Sequence, residues 1–227
     1  MNAFEVLPDE RARRVLQRLH AESTRELFGV MLHFLPKVPR YLLGKPIDTP
    51  DSSRGFFSKK FLSIEPPTGA FCYLTARALR ARTIVEFGTS YGISTLWLAA
   101  AVRENGGGRV IGTELVPEKA AKARAHLEEA GLSEFVEIRV GDATQTLRGG
   151  LGEVDFMLND GMPLPALEVL KLVAPSMRIG AAVVTDNAGV FKADYREYVA
   201  WAREARNGFA STMLPFRSGA EYSVKIR

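Results

Sequence analysis

Five short apolar runs rich in β-branched residues alternate with helix-patterned stretches over the last two thirds of this chain. No other feature constrains its fold as much. The runs are 83–87, 109–113, 135–140, 154–158 and 181–185, and residues 93–103, 117–130, 165–172 and 193–205 carry apolar side chains at helical spacing. Strands separated by helices form βαβ units, which predicts an α/β fold with a parallel sheet and helices on both faces. The C-terminal end breaks the pattern. Residues 211–215 and 222–226 are joined by Phe216-Arg217-Ser218-Gly219, a hairpin signal that adds an antiparallel strand pair at the sheet edge.

Upstream, residues 9–35 read as one helix, with Val15, Leu16, Leu19, Leu27, Phe28, Met31 and Leu32 three or four apart and arginines between them. Pro36 and Pro39 end it, and residues 36–67 read as a Pro-, Gly-, Ser- and Lys-rich connection closing at Pro66-Pro67. The chain therefore divides into an N-terminal helical segment, 1–61, acting as lid or dimer contact, and a main domain, 62–227. The formal charge of +4 follows the same division: residues 1–60 hold 11 Lys/Arg against 7 Asp/Glu, and residues 61–227 hold 19 of each. A protein reading phosphates over its main surface needs a basic body, so nucleic acid is disfavoured as a partner. Cys72 is the single cysteine, which excludes an internal disulfide and a multi-cysteine zinc site. No segment has the apolar length to span a membrane, and the early acids of MNAFEVLPDERARR leave no room for a secretory h-region. The expected location is cytoplasmic.

The first strand runs into TIVEFGTSYGIST. Gly88 would let the backbone approach a ligand, Gly92 would permit the sharp turn into the next helix, and Ser94 and Thr95 offer hydroxyls. The spacing E-x-G-x-x-x-G is not the G-x-G-x-x-G of a pyrophosphate cradle, and Glu86 suits a ligand with a cationic amino group. Glu114, at the tip of the second strand, can accept both hydroxyls of a ribose. Asp142, at the tip of the third, can accept an adenine amino group.

These residues resemble the class I S-adenosylmethionine-dependent methyltransferases, and more narrowly the catechol O-methyltransferase-like, metal-dependent group that includes caffeoyl-CoA O-methyltransferases. The likeness covers residues 62–227. It implies a Rossmann-like sheet of seven strands, mostly parallel, with an antiparallel C-terminal hairpin. It also implies that Glu86, Gly88 and Ser94 surround the methionine moiety of S-adenosylmethionine, that Glu114 holds the ribose, and that Asp142 and Ala143 border the adenine. Leu62 and Ile64 fall where a substrate-proximal loop touches the cofactor.

The narrower likeness rests on VDFMLNDG and AAVVTDNAG. Asp160, Asp186 and Asn187 end adjacent strands and make a hard-oxygen set suited to Mg²⁺ or Mn²⁺, with Ca²⁺ also compatible; no histidine lies in either segment to suggest zinc. In the family the matching Asp, Asp and Asn bind a divalent ion that chelates two vicinal hydroxyls of the acceptor, and Asp160 also counts among the catalytic and cofactor-proximal residues. Glu221, in SGAEYSVKIR, matches a glutamate that faces the acceptor hydroxyl that is not methylated.

One position departs from the family. The general-base lysine three residues after the first metal aspartate is here Pro163, which cannot accept a proton. Lys192 is a candidate substitute, or the ion alone acidifies the hydroxyl. The expected activity is methyl transfer from S-adenosylmethionine to a hydroxyl of a small, diol-like acceptor. The alternatives are a metal-independent methyltransferase of the same fold and, from another class, an RNA-binding or RNA-modifying protein using the basic N-terminal segment. The apolar positions of the first helix suit a homodimer.

Overall fold

The computed structural model describes residues 2–39, 43 and 63–227. Seven strands form one sheet: β1 (Thr83–Phe87), β2 (Arg109–Glu114), β3 (Val136–Val140), β4 (Val154–Asn159), β5 (Met177–Thr185), β6 (Phe209–Leu214) and β7 (Ala220–Lys225). Their order is β3-β2-β1-β4-β5-β7-β6. The first five are parallel, and β7 inserts antiparallel between β5 and β6. Both the parallel sheet and the antiparallel edge predicted from the sequence are borne out.

Seven helices surround it among the described residues: α1 (Glu10–Phe34), α2 (Pro66–Ala78), α3 (Ile93–Glu104), α4 (Pro117–Ala130), α5 (Ala143–Thr146), α6 (Pro163–Val173) and α7 (Arg196–Arg203). Local chemistry sets their ends. Pro117 opens α4, where its missing N–H costs nothing, and Gly131 closes it in the left-handed conformation. The sequence reading missed α2 because Pro66-Pro67 looked like the end of a connection. The same pair is the first turn of a helix.

Side chains alternate between the two faces of each strand, so the core forms two layers. Ile84, Phe156, Leu158 and Val184 meet Cys72, Leu96 and Trp97 under α1–α4. Val85, Met157 and Val183 meet Val169, Leu170, Tyr195 and Tyr198 under α6 and α7. The start of α1 belongs to the first layer: Leu16 and Leu19 have no solvent exposure. Its arginines are partly used in docking. Arg11 donates to the carbonyls of Glu129 and Glu128 at the end of α4 (2.5 and 3.0 Å), and Arg18 pairs with Glu129 at 2.6 Å. Part of the basic excess of the N-terminal segment therefore fastens it to the body.

Candidate active site

The strand order reverses between β1 and β4, so the crevice beyond their carboxyl ends is where an open α/β sheet receives its ligand. Gly88 lies at this point with φ +97°. A Cβ there would stand 2.6 Å from the Asp160 carbonyl oxygen, so the glycine lets the first loop lie against the β4 tip. The close neighbour that requires a glycine here is the protein backbone of the β4 tip, beside which the expected ligand crevice opens. Gly92, at φ +86°, makes the turn into α3 as expected.

Glu86 is fully buried on the α2–α3 face of β1. Its Oε2 accepts from the Thr89 and Thr95 hydroxyls at 2.7 and 2.6 Å. Its Oε1 is buried and has no partner among the described residues. Burial raises its pKa; the Ser94, Thr95 and Thr89 hydroxyls oppose the rise, and the charge of Glu114 adds to it. A buried carboxylate with one oxygen satisfied by neutral hydroxyls and the other by nothing fits a cationic ligand group. Ser94 and Ile64 are buried beside the same helices, and Leu62 lies outside the described residues.

Glu114 ties two loops together. Its Oε2 accepts from the Ser90 amide and its Oε1 from the Val116 amide, both at 2.8 Å. Each oxygen keeps a lone pair, which suits a pair of hydroxyl donors. Asp142 is exposed and caps α5, its Oδ1 accepting from the Thr144 amide and hydroxyl at 2.9 and 2.8 Å; Ala143 is buried behind it.

The ends of β4 and β5 hold a second group. The Asn187 amide nitrogen donates to Asp160 Oδ1 at 3.2 Å and lies 3.4 Å from Asp186 Oδ2. Asn187 adopts φ +63°, a left-handed conformation that asparagine tolerates. The Ser218 hydroxyl donates to Asp186 Oδ1 at 2.8 Å. Burial pushes both carboxyls upward. Asp186 and then Glu86 raise Asp160 further, while Glu65, just before α2, adds to the rise at Asp186. The structure thus brings Asp160, Asp186 and Asn187 together. Among the described residues no three His, Cys, Asp or Glu side chains gather as a metal cluster; the hard-oxygen set here is two carboxylates and an amide. It fits a cation in its chemistry, because the amide donor stands between two repelling carboxylates and can turn to offer Oδ1 instead.

Two expected site residues lie elsewhere. Glu221 pairs in register with Thr185, not with Asp186, so its side chain points to the α7 face. There it accepts from the Arg203 guanidinium at 2.7 and 2.8 Å and from the Ser211 hydroxyl at 2.6 Å, and it has no solvent exposure. Those bonds occupy the carboxylate, which corrects its assignment to the acceptor. Lys192 is exposed in the turn between Asn187 and α7. Sequence reasoning missed Glu65 and Ser218. Ser218 reaches Asp186 because the hairpin turn packs on the turn after β5, with the Gly189 and Val190 amides donating to Gly219 and Ser218 carbonyls at 3.2 and 3.0 Å. No linear spacing encodes that contact.

A family model described as a methyltransferase domain matches residues 85–188. The catechol O-methyltransferase of Niastella koreensis is 35% identical over 130 residues, which span 56% of this chain and 58% of that protein. The O-methyltransferase TomG of Streptomyces achromogenes, solved in complex with SAM, superposes with a TM-score of 0.64 at 26% identity, covering 77% of this chain and 86% of that one. An O-methyltransferase of Bacillus cereus in complex with SAH gives a TM-score of 0.64 at 26% identity over 72% of this chain and 82% of that one. The fold is that of a class I, Rossmann-like methyltransferase. The expected resemblance to catechol O-methyltransferase-like proteins is borne out as a resemblance.

Proposed function

We propose that this chain is an S-adenosylmethionine-dependent O-methyltransferase whose acceptor is a small molecule with two adjacent hydroxyls. The observation that carries this reading is the rim itself: Glu86 lies one residue before the end of β1, Asp160 and Asp186 directly follow the adjacent parallel strands β4 and β5, and one Glu86 oxygen is buried without a partner among the described residues. When bound, S-adenosylmethionine supplies an electrophilic methyl on sulfur, and a divalent ion supplies charge that lowers the pKa of an acceptor hydroxyl.

The chain's own residues supply placement. Glu86 binds the ammonium of the methionine moiety, Glu114 accepts the ribose hydroxyls, and Asp142 borders the adenine. Asp160, Asp186 and Asn187 hold the ion one strand away. Residues that would hold donor and acceptor on neighbouring strand tips would lower the entropic barrier to their encounter. Pro163, at the first turn of α6, leaves that position without a proton acceptor.

The test is methyl transfer from labelled S-adenosylmethionine to vicinal diols and to single phenols, with Mg²⁺ and with a chelator. Transfer confined to diols, and lost both in chelator and in Asp186→Ala, is the expected result. Equal transfer in chelator would instead favour the metal-independent reading, to which Pro163 lends support. We further place the protein in the cytoplasm as a homodimer joined through its N-terminal segment, without a nucleic-acid partner. The exposure of Leu35 and Val38 after α1 and the neutral charge of residues 61–227 support this. Sedimentation tests the dimer. No described helix is long and apolar enough to cross a membrane.

A further inference from the structure

Both strands that end in a candidate metal aspartate carry a buried polar residue one position earlier. Asn159 precedes Asp160 on β4, and Thr185 precedes Asp186 on β5; neither has any solvent exposure. The two are direct partners in the β4–β5 pairing. Alternation along the strands turns them away from the aspartates and into the apolar layer under α6 and α7. Polar groups in such a layer need partners. Both face one residue, Tyr198 of α7. The Thr185 hydroxyl donates to the Tyr198 phenol oxygen at 2.6 Å, and the Asn159 side chain acts on the same phenol. Asn159 Nδ2 donates to the Ala166 carbonyl of α6 at 3.1 Å. Asn159 Oδ1 is buried and has no hydrogen-bond partner among the described residues. Tyr198 is 2% exposed and set edge-on to Tyr195, with ring centres 5.8 Å apart, so it is confined by packing.

We propose that Tyr198 is a positioning residue that ties the tips of β4 and β5 together and so fixes the separation of the Asp160 and Asp186 carboxylates. The inference rests on the reading above, that these carboxylates hold a divalent ion. The last backbone bond between the two strands is Asp186 N–H to Asn159 O at 3.2 Å. Beyond it lie two carboxylates that repel one another, and the strand ladder offers nothing to stop the tips from splaying. Above the sheet, Asn187 bridges the two acids, but it has to turn its amide to present oxygen to a cation. That bridge depends on the orientation of one side-chain amide. Below the sheet, the Thr185 hydroxyl holds the Tyr198 phenol on the face that Asn159 shares, whichever way Asn187 turns.

The test is Mn²⁺ titration of the whole chain saturated with S-adenosylmethionine, with free Mn²⁺ followed by electron paramagnetic resonance. Wild type, Tyr198→Phe, Thr185→Val, Thr185→Ser and Asp186→Ala are compared. Loss of a group bonded directly to a metal ligand weakens metal binding about 10- to 100-fold, and Tyr198→Phe and Thr185→Val, one contact further out, are each expected to weaken it about tenfold. Thr185→Ser keeps the hydroxyl and is expected to restore wild-type affinity, while S-adenosylmethionine affinity by calorimetry stays unchanged in the Tyr198 and Thr185 variants. The threonine pair carries the test if Tyr198→Phe does not fold. Wild-type Mn²⁺ affinity in Tyr198→Phe and Thr185→Val, with binding abolished in Asp186→Ala, would overturn the positioning role alone. A wild type that takes up no Mn²⁺, or an Asp186→Ala that binds as wild type does, would overturn the cation reading and the positioning role with it.

Discussion

Glu86 and Glu221 are both completely buried glutamates, on opposite faces of one sheet, and they are satisfied in opposite ways. Glu221 accepts two bonds from Arg203 and one from Ser211, so its charge is answered within the chain. Glu86 has only neutral hydroxyls around it, those of Thr89 and Thr95 on Oε2 with Ser94 nearby, and its Oε1 has no hydrogen-bond partner among the described residues. Burying a carboxylate costs several kcal/mol unless a cation and hydrogen bonds compensate it. Glu221 therefore contributes to the fold, whereas the burial of Glu86 goes uncompensated by any cation among the described residues, which supports the proposed cofactor role. Burial alone does not separate a structural acid from a functional one; the count of its partners does.

Glu86→Gln should break the comparison most strongly. A hydrogen bond to a charged group is worth about 1.5–3 kcal/mol, so S-adenosylmethionine should bind about 10- to 100-fold more weakly by calorimetry. Unchanged affinity would remove Glu86 from the cofactor site. The counterpart is Arg203→Ala, which leaves Glu221 buried without its cation. Arg203 is 46% exposed and water can replace part of its contact, so the expected cost is about 1–3 kcal/mol in chemical denaturation. Cofactor affinity should not move in this variant.

The pH dependence separates the two acids again. Burial raises the Glu86 pKa above its ordinary 4.5, so the folded chain holds this proton more tightly than the unfolded one does. The stability linked to it is complete below pH 4.5 and is lost as pH rises through the folded value. Glu86→Gln removes that loss, so the cofactor-free variant should melt higher than wild type at neutral pH. Over the same window, wild-type affinity for S-adenosylmethionine should rise with pH as Glu86 ionises, and the variant should show no such rise.

The sequence discloses one of these glutamates and misplaces the other, for a physical reason. Glu86 stands on a parallel strand whose flanking glycine and helix start were legible, and strands 83–87 and 109–113 were found to within a residue of their observed ends. Glu221 lies on an antiparallel strand, where a pairing shift of one residue moves every side chain to the other face. Pairing with Thr185 and not with Asp186 is set by the hairpin turn packing on Gly189, which no local pattern records. Asp160, Asp186 and Asn187 were legible because each ends or follows a strand, where position along the chain fixes position in space. Tyr198 was not, because its polar partners read as ordinary strand residues and its own helix as an amphipathic one.

Asp142 gives the smallest effect and the finest discrimination, since it has a structural use and a proposed cofactor use at once. Its Oδ1 caps α5, and losing a cap costs about 1 kcal/mol. Asp142→Ala removes both uses and cannot tell them apart. Serine caps nearly as well as aspartate but carries no charge and reaches less far, so Asp142→Ser keeps the helix start and removes the carboxylate. One hydrogen bond contributes about 0.5–1.5 kcal/mol, which predicts a loss of roughly 2- to 10-fold in S-adenosylmethionine affinity without a change in melting temperature. If affinity holds in Asp142→Ser while Asp142→Ala lowers only stability, Asp142 belongs with Glu221 among the acids that the fold itself uses.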